Sequence, residues 1–196
     1  MAQLDSFRLD DRVALIVGGG GAIGSALGAA LAGAGARVAL LGPTAARLDG
    51  AAKAIGKQGG EAVTVVGDAT SEEECERAVA EVVAQLGRLD IVVNAVGGGA
   101  GKVLFDAETY PRDSWDWIFE LNLRSTVVAT QAAVKPMIDG GRGGKVLNIT
   151  SVRGTLGINA GYSAYVAAKG AINSLTRQWA TEWAKHGINV NAISPT

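Results

Sequence analysis

Tyr165 and Lys169 stand four residues apart in a stretch, Ser163 to Lys185, whose pattern predicts helix. Side chains at that spacing share a helix face. A phenol is a poor base at neutral pH, because its ordinary pKa is about 10. A neighbouring ammonium favours the phenolate and draws that value down. The pair therefore has the composition of a proton-transferring couple. Ser151 closes the apolar run Lys145 to Thr150 and offers a hydroxyl to a substrate carbonyl or alcohol. A bare Tyr-x-x-x-Lys is commonplace on surface helices, so its meaning depends on what accompanies it.

A second constellation lies near the start. The apolar run Val13 to Val17 meets four glycines, Gly18 to Gly21, then Ala22-Ile23-Gly24, with Ile23, Leu27 and Leu31 at helical spacing. This reads as a buried strand, a tight turn and a helix. Glycine lets a ligand approach the backbone closely. A helix starting there aims free N–H groups and the positive end of its dipole at the turn, which suits a pyrophosphate. Val13 to Ala36 is also 24 residues without a charge, long enough to span a bilayer. Eight of those residues are glycine, and Arg37 to Leu41 then reads as a second strand, so the membrane reading is rejected.

These groups need a scaffold. Thr44 is placed to cap a helix running to about Ile55, ended by Gly56 to Gly60, and Ala62 to Val66 reads as a third strand. Ser71 to Glu74 has the form of a capping box before a helix whose inner face is Val79, Val82, Val83 and Leu86. Ile91 to Val93 is a fourth strand, opening into Gly97 to Gly101. One long helical stretch is expected between Ser114 and Met137, a fifth strand over Lys145 to Thr150 and a sixth over Ile188 to Ile193. Strands alternating with helices predict an α/β fold: a doubly wound parallel sheet covered by helices on both faces, in a single domain. Ligands on such sheets bind beyond the carboxyl ends of the strands.

Composition narrows the function. The 196 residues are 48% apolar and 19% charged with net charge −1, so no basic surface argues for nucleic acid or anionic lipid. The one cysteine, Cys75, reads as an inert helix thiol in a reducing compartment. The one histidine, His186, is placed to meet a helix C-terminus, and no metal site is expected. Met1 to Asp11 mixes charges and has no apolar signal core, so no export signal and a cytoplasmic location are expected.

The ordered set of the glycine turn, Asp68, Asn94-Ala95-Val96-Gly97, Asn122, Ser151, Tyr165-Val166-Ala167-Ala168-Lys169 and a late Asn-Ala-Ile-Ser-Pro resembles the short-chain dehydrogenases/reductases over nearly the whole chain. That resemblance implies a Rossmann fold and an NAD(P)-dependent oxidoreductase acting on a secondary alcohol or ketone. It implies that Tyr165 is the general acid/base, that Lys169 lowers its pKa and holds the nicotinamide ribose, and that Ser151 orients the reacting oxygen. Asn122 would support a water relay to Lys169. Gly18, Gly20, Gly21, Ile23 and Gly24 would form the pyrophosphate loop, Asp68 would meet the adenine, and Asn94 and Gly97 would lie under the cofactor. Pro195 would begin the loop beside the nicotinamide. The same resemblance implies a homodimer or homotetramer paired through the two long helices, with Val127, Val128, Trp179 and Trp183 among their apolar residues. A binding-only homologue without turnover is the alternative. Sugar or polyol derivatives, 3-ketoacyl thioesters and cyclic ketones all remain open as substrates.

The chain departs from the family pattern at several points. Val17 replaces the usual threonine, and Ala22 replaces the middle glycine of the turn, which is expected to survive. Ala95 replaces the second asparagine of Asn-Asn-Ala-Gly, which helps tie the central strands. Ser151 precedes Tyr165 by fourteen positions, so the loop between them is expected to carry an extra residue. Thr196 replaces a glycine, and the family's substrate-covering segment and seventh strand would follow it, so truncation is expected. Gly42 and Pro43 stand where NAD enzymes of this fold place an acidic residue for the ribose 2′-OH. With Thr44 and Arg47 nearby, the turn leans toward NADP(H) over NAD(H).

Overall fold

The first strand, β1 (Val13–Val17), is buried along its entire length. Val13, Leu15 and Val17 point into one hydrophobic core, Ala14 and Ile16 into another. A strand buried on both faces belongs in the middle of a parallel sheet, which is why its five residues are all apolar rather than alternating. The computed structural model describes residues 7–196. Met1 to Ser6, the larger part of the segment read above as lacking a signal core, lie outside them.

Six strands follow the order β3-β2-β1-β4-β5-β6, and every pairing is parallel. The others are β2 (Arg37–Gly42), β3 (Glu61–Val66), β4 (Ile91–Asn94), β5 (Gly144–Ile149) and β6 (Ile188–Ile193). Between them run α1 (Ala22–Gly33), α2 (Ala45–Lys57), α3 (Glu72–Leu86), α4 (Arg112–Phe119), α5 (Ser125–Asp139) and α6 (Ser163–Trp183). Ala32, Leu48 and Ile55 bring α1 and α2 onto one face. Val79, Val82, Ala129, Ala133 and Trp179 bring α3, α5 and α6 onto the other. The doubly wound sheet expected from the sequence is present. Among the described residues no helix is long and apolar enough to cross a membrane.

Local departures from the expected pattern have physical reasons. The face of α1 that enters the core is Gly24, Gly28 and Ala32, whereas Ile23 is 47% exposed. Small residues let this helix lie close on the sheet, and the larger apolar side chains are left at its flanks. Thr44 sits at the N-cap of α2, but its hydroxyl makes no capping bond. Ser71 does cap α3, accepting from the Glu74 N–H at 3.3 Å, a contact worth about 1 kcal/mol. The Glu74 carboxylate does not close the box. It accepts instead from the Asp68 N–H at 2.9 Å, tying the end of β3 to the helix. The single long helix expected from Ser114 to Met137 is broken at Glu120–Arg124 by a turn of π-helix, where the Ser125 N–H reaches back five residues to the Glu120 carbonyl. Trp179 and Trp183 stack at 5.2 Å and 17° and pack on the core of their own chain.

Cys75 is buried in α3, with its thiol against the carbonyls of Asp68 and Ala69. Burial, helped by the carboxylates of Asp68 and Glu74, pushes the thiol up to about 11. The thiolate is the reactive form. In the folded protein Cys75 is therefore expected to alkylate with iodoacetamide at least about tenfold more slowly at pH ~8 than in urea, as read by mass spectrometry. Because the folded-state value is raised, the stabilisation it brings is complete below pH 9 and is lost as pH rises through about 11. Cys75→Ala should remove that part of the alkaline stability loss.

Candidate active site

The carboxyl ends of β1, β4 and β5 bring the sequence-flagged residues to one edge of the sheet. Gly18 opens the first turn with φ +83°, and a β-carbon there would press on the Ala95 backbone at 2.9 Å. A β-carbon on Gly24 would collide with the Gly18 carbonyl oxygen, so the first turn of α1 folds directly over the glycine loop. Ala22, the departure in this turn, is exposed and displaces nothing. Gly21 is the N-cap of α1, no side chain caps the helix, and no acidic residue stands in its first turn. The opening N–H groups thus face outward without a competing side-chain acceptor, which is the donor set an anion needs.

Around this turn, Gly42 is buried at the end of β2 and paired to Val66 of β3. Thr44 and Arg47 are exposed beside it. The Arg47 β-carbon comes so close to Gly20 that a side chain at Gly20 would meet it at 2.9 Å. The Asp68 carboxylate accepts from both the N–H and the hydroxyl of Thr70, at 2.8 and 2.9 Å. Asn94 turns its side chain away from the crevice and into the core, where its amide donates to Thr130 and to Asn148. With Ala95 in place of the family asparagine, the Asn94–Asn148 contact ties β4 to β5.

The reacting end is assembled by β5, α6 and the π-turn. The Lys169 Nζ is buried and donates to the Ile149 carbonyl at 2.9 Å, and it lies 5.7 Å from the centre of the Tyr165 ring. Burial draws the Lys169 ammonium down to about 8. The Asn122 side chain is fully buried and clasps Gly98, accepting from its N–H at 2.9 Å and donating to its carbonyl at 3.1 Å. A β-carbon on Gly97 would sit 2.7 Å from Asn122 Oδ1 and 3.0 Å from Lys169 Nζ. Asn122 and Lys169 therefore converge under this one backbone position, and its φ of +147° suits glycine.

The expected lowering of the Tyr165 pKa by Lys169 does not appear. Burial raises the phenol, a hydrogen bond with Ser151 works in the opposite direction, and Tyr162, whose ring meets Tyr165 edge-on at 6.3 Å, adds to the rise. Lys169 is engaged with the backbone of β5 instead. Ser151 is buried, and its hydroxyl also accepts from the Arg153 N–H at 3.1 Å, which starts the short 3-10 turn Val152–Gly154. Arg153 reaches the Gly157 carbonyl at 3.4 Å within its own loop. The Pro195 carbonyl accepts from the Val152 N–H at 3.0 Å, which brings the segment after β6 beside Ser151. The π-turn that presents Asn122 escaped the sequence reading, since no proline or glycine marks it. Gly98 was seen only as part of a glycine run. Among the described residues no group of three or more His, Cys, Asp or Glu side chains is placed to share a metal ion.

This arrangement can be set beside known proteins. The family model described as short chain dehydrogenase matches residues 12–196. An uncharacterised oxidoreductase of Mycobacterium tuberculosis is 40% identical over 98% of this chain and 71% of its own length. Gluconate 5-dehydrogenase of Gluconobacter oxydans is 35% identical, over the whole of this chain and 74% of its own. The crystal structure of an NAD+-bound xylitol dehydrogenase superposes with a TM-score of 0.90 at 33% identity, covering 95% of this chain and 70% of that one. With a family match across nearly its full length and a fold shared with those dehydrogenases, the chain belongs to the short-chain dehydrogenase/reductase family.

Proposed function

We propose that this oxidoreductase interconverts a secondary alcohol and the corresponding ketone with a nicotinamide dinucleotide, and that its substrates are polyols or sugar acids. The observation that carries the reading is the convergence of Ser151, Tyr165 and Lys169 at the carboxyl edge of the sheet, with Ser151 close enough to the phenol to draw its pKa down and the ammonium beside the ring. A binding-only protein has no need of that convergence. The substrate class is suggested by the names of the relatives, a gluconate dehydrogenase and a xylitol dehydrogenase.

The residues present fit such a cofactor. The uncapped start of α1 and the side-chain-free loop Gly18 to Gly21 suit the pyrophosphate, with Ile23 and Gly24 in the first turn. Asp68, just beyond the end of β3, is the proposed contact for the adenine. The exposed Gly97 backbone and Pro195, whose carbonyl meets the Val152 N–H beside Ser151, suit the nicotinamide end, while Asn94 would serve it from within the core by tying β4 to β5. When bound, the nicotinamide supplies the hydride exchange. The protein's part is proton transfer and orientation. Ser151 holds the substrate oxygen. Tyr165, whose burial favours the neutral phenol, would give its proton to the oxygen of a ketone undergoing reduction; in the reverse direction it would first ionise and then, as the phenolate, take the proton of the alcohol. Lys169 holds the ribose hydroxyls and supplies positive charge near the phenol as it ionises. The Asn122 backbone in the opened π-turn supports the water relay that returns a proton to Lys169. We further propose that the 196 residues belong to one dinucleotide-binding domain of a cytoplasmic protein.

The proposed cofactor preference is NADP(H). Gly42 carries no carboxylate to bind a ribose 2′-OH or to repel a 2′-phosphate, the Thr44 hydroxyl is unused, and Arg47 stands over Gly20. The proposed assembly is a homodimer or homotetramer. The surface that suits it best is the groove between α3 and α5, about 760 Å³, lined by Val79, Val83, Val128, Ala132 and Pro136. Trp179 is already buried within its own chain and offers no exposed contact, whereas Trp183 packs on the same core but is only partly buried.

Tyr165→Phe is expected to lower turnover by on the order of 10²–10⁴ while leaving the NAD(P)H fluorescence titration nearly unchanged; full activity in that variant would refute the assignment. The wild type should show the higher kcat/KM with NADP+, and Gly42→Asp should move the ratio toward NAD+. The new β-carbon has ordinary room, 3.5 Å from the nearest Leu48 atom, and a wild type favouring NAD+ about tenfold or more would show the turn to be misread. Light scattering at micromolar protein should give at least a dimer, and Val83→Glu should shift it toward monomer.

A further inference from the structure

A chain of buried hydrogen bonds crosses the middle of the molecule. Asn94 and Asn148 face each other across β4 and β5. The Asn94 Nδ2 donates to Asn148 Oδ1 at 2.8 Å and to Thr130 Oγ1 at 2.7 Å. On one side, Thr130 donates to the Thr126 carbonyl at 2.6 Å, and Thr126 donates to the Asn122 carbonyl at 3.0 Å. On the other, Asn148 Nδ2 donates to Thr176 Oγ1 at 2.9 Å, and Thr176 donates to the Ile172 carbonyl at 2.8 Å. The five side chains are between 0% and 8% exposed. The chain begins in the π-turn that presents Asn122 and ends on the helix that carries Tyr165 and Lys169.

Apolar packing holds α5 and α6 on the sheet, but it is non-directional and tolerates sliding. Hydrogen bonds fix distance and angle. Helix α6 is pinned to β5 at two points, through Thr176 to Asn148 and through Lys169 to the Ile149 carbonyl. The two strand residues are adjacent. The two helix residues are seven apart, on one face, about 10 Å along the axis. Two pins fix both the slide and the tilt of the helix. Tyr165 lies on the far side of Lys169 from Thr176, so α6 is a lever whose fulcrum is the Lys169 contact.

Resting on the acid/base role proposed for Tyr165, we propose that Asn148 and Thr176 are positioning residues. Their buried contact sets the angle at which α6 presents Tyr165 and Lys169 to Ser151 and Asn122. Loss of the contact lets α6 pivot on Lys169 and moves the phenol.

Thr176→Val keeps the shape of the side chain and removes the hydroxyl, and Thr176→Ser restores it. Both variants are compared with wild type at equal folded fraction by circular dichroism, using the polyol that gives the wild type its highest turnover. Thr176→Val is expected to lower kcat on the order of tenfold with substrate KM changed less than about twofold, and Thr176→Ser to keep at least about half of the wild-type kcat. A second readout needs neither substrate nor cofactor. The Lys169 ε-methylene protons lie near the Tyr165 ring, so their NMR shifts report the geometry of the pair; Lys169→Met assigns the signal. That signal should move in Thr176→Val and return to its wild-type position in Thr176→Ser. A Thr176→Val protein that loses thermal stability but keeps the wild-type Lys169 signal, or keeps wild-type kcat, overturns the proposal. If the wild type turns over no polyol with either dinucleotide, the proposed function falls, and the Lys169 signal alone decides the brace.

Discussion

An ammonium withdrawn from water needs an acceptor, and Lys169 finds one in the Ile149 carbonyl. Much of the site follows from that contact. It fixes α6 against the end of β5. It places positive charge beside the Tyr165 ring. It also requires an open backbone at Gly97, because any β-carbon there would press on Nζ and on Asn122. The cost of burial is visible in the fall of the ammonium to about 8, which makes this lysine a group poised to exchange a proton near neutral pH rather than a fixed charge.

Tyr165 shows how the same environment treats an acid of the other kind. Burial disfavours the charged form of either group, so it lowers the lysine and raises the phenol. The ammonium is engaged with the β5 backbone, and the phenol is favoured in its neutral form. Their proton affinities, nearly equal in the free side chains, are thereby driven apart, the phenol above its ordinary value and the ammonium below its own.

Much of this was legible in the sequence because the signals were local. β1 matches its apolar run residue for residue, and so does β6. The Tyr165–Lys169 spacing gave a shared helix face, and the glycine turn gave the start of α1. The misreadings occurred where a side chain had two partners to choose from. The helix marked by Ile23, Leu27 and Leu31 is present; what their spacing left open is that the small Gly24–Gly28–Ala32 face lies closest to the sheet, with Leu27 and Leu31 packed beside it. Glu74 had the spacing of a reciprocal cap, but the Asp68 N–H lay within reach and took its carboxylate. The π-turn at Glu120–Arg124 had no local marker, and the partner of the Asn122 side chain it presents, Gly98, lies 24 residues away in sequence. The Asn148–Thr176 contact joins two unremarkable residues 28 apart, and no spacing rule connects them.

The alternation of β1 between two cores has a consequence for how the chain can vary in length. Each of its five residues belongs to one core or the other by parity. A single-residue insertion or deletion inside Val13–Val17 would exchange the two sets and carry the glycine turn to the wrong face, a change no repacking of side chains can absorb. The segment Gln58 to Gly60, at the surface between α2 and β3, carries no such parity. Length variation among descendants of this chain should therefore collect at such surface connections and be absent from the central strand, so that an insertion scan would trace the sheet as clearly as a substitution scan traces the site.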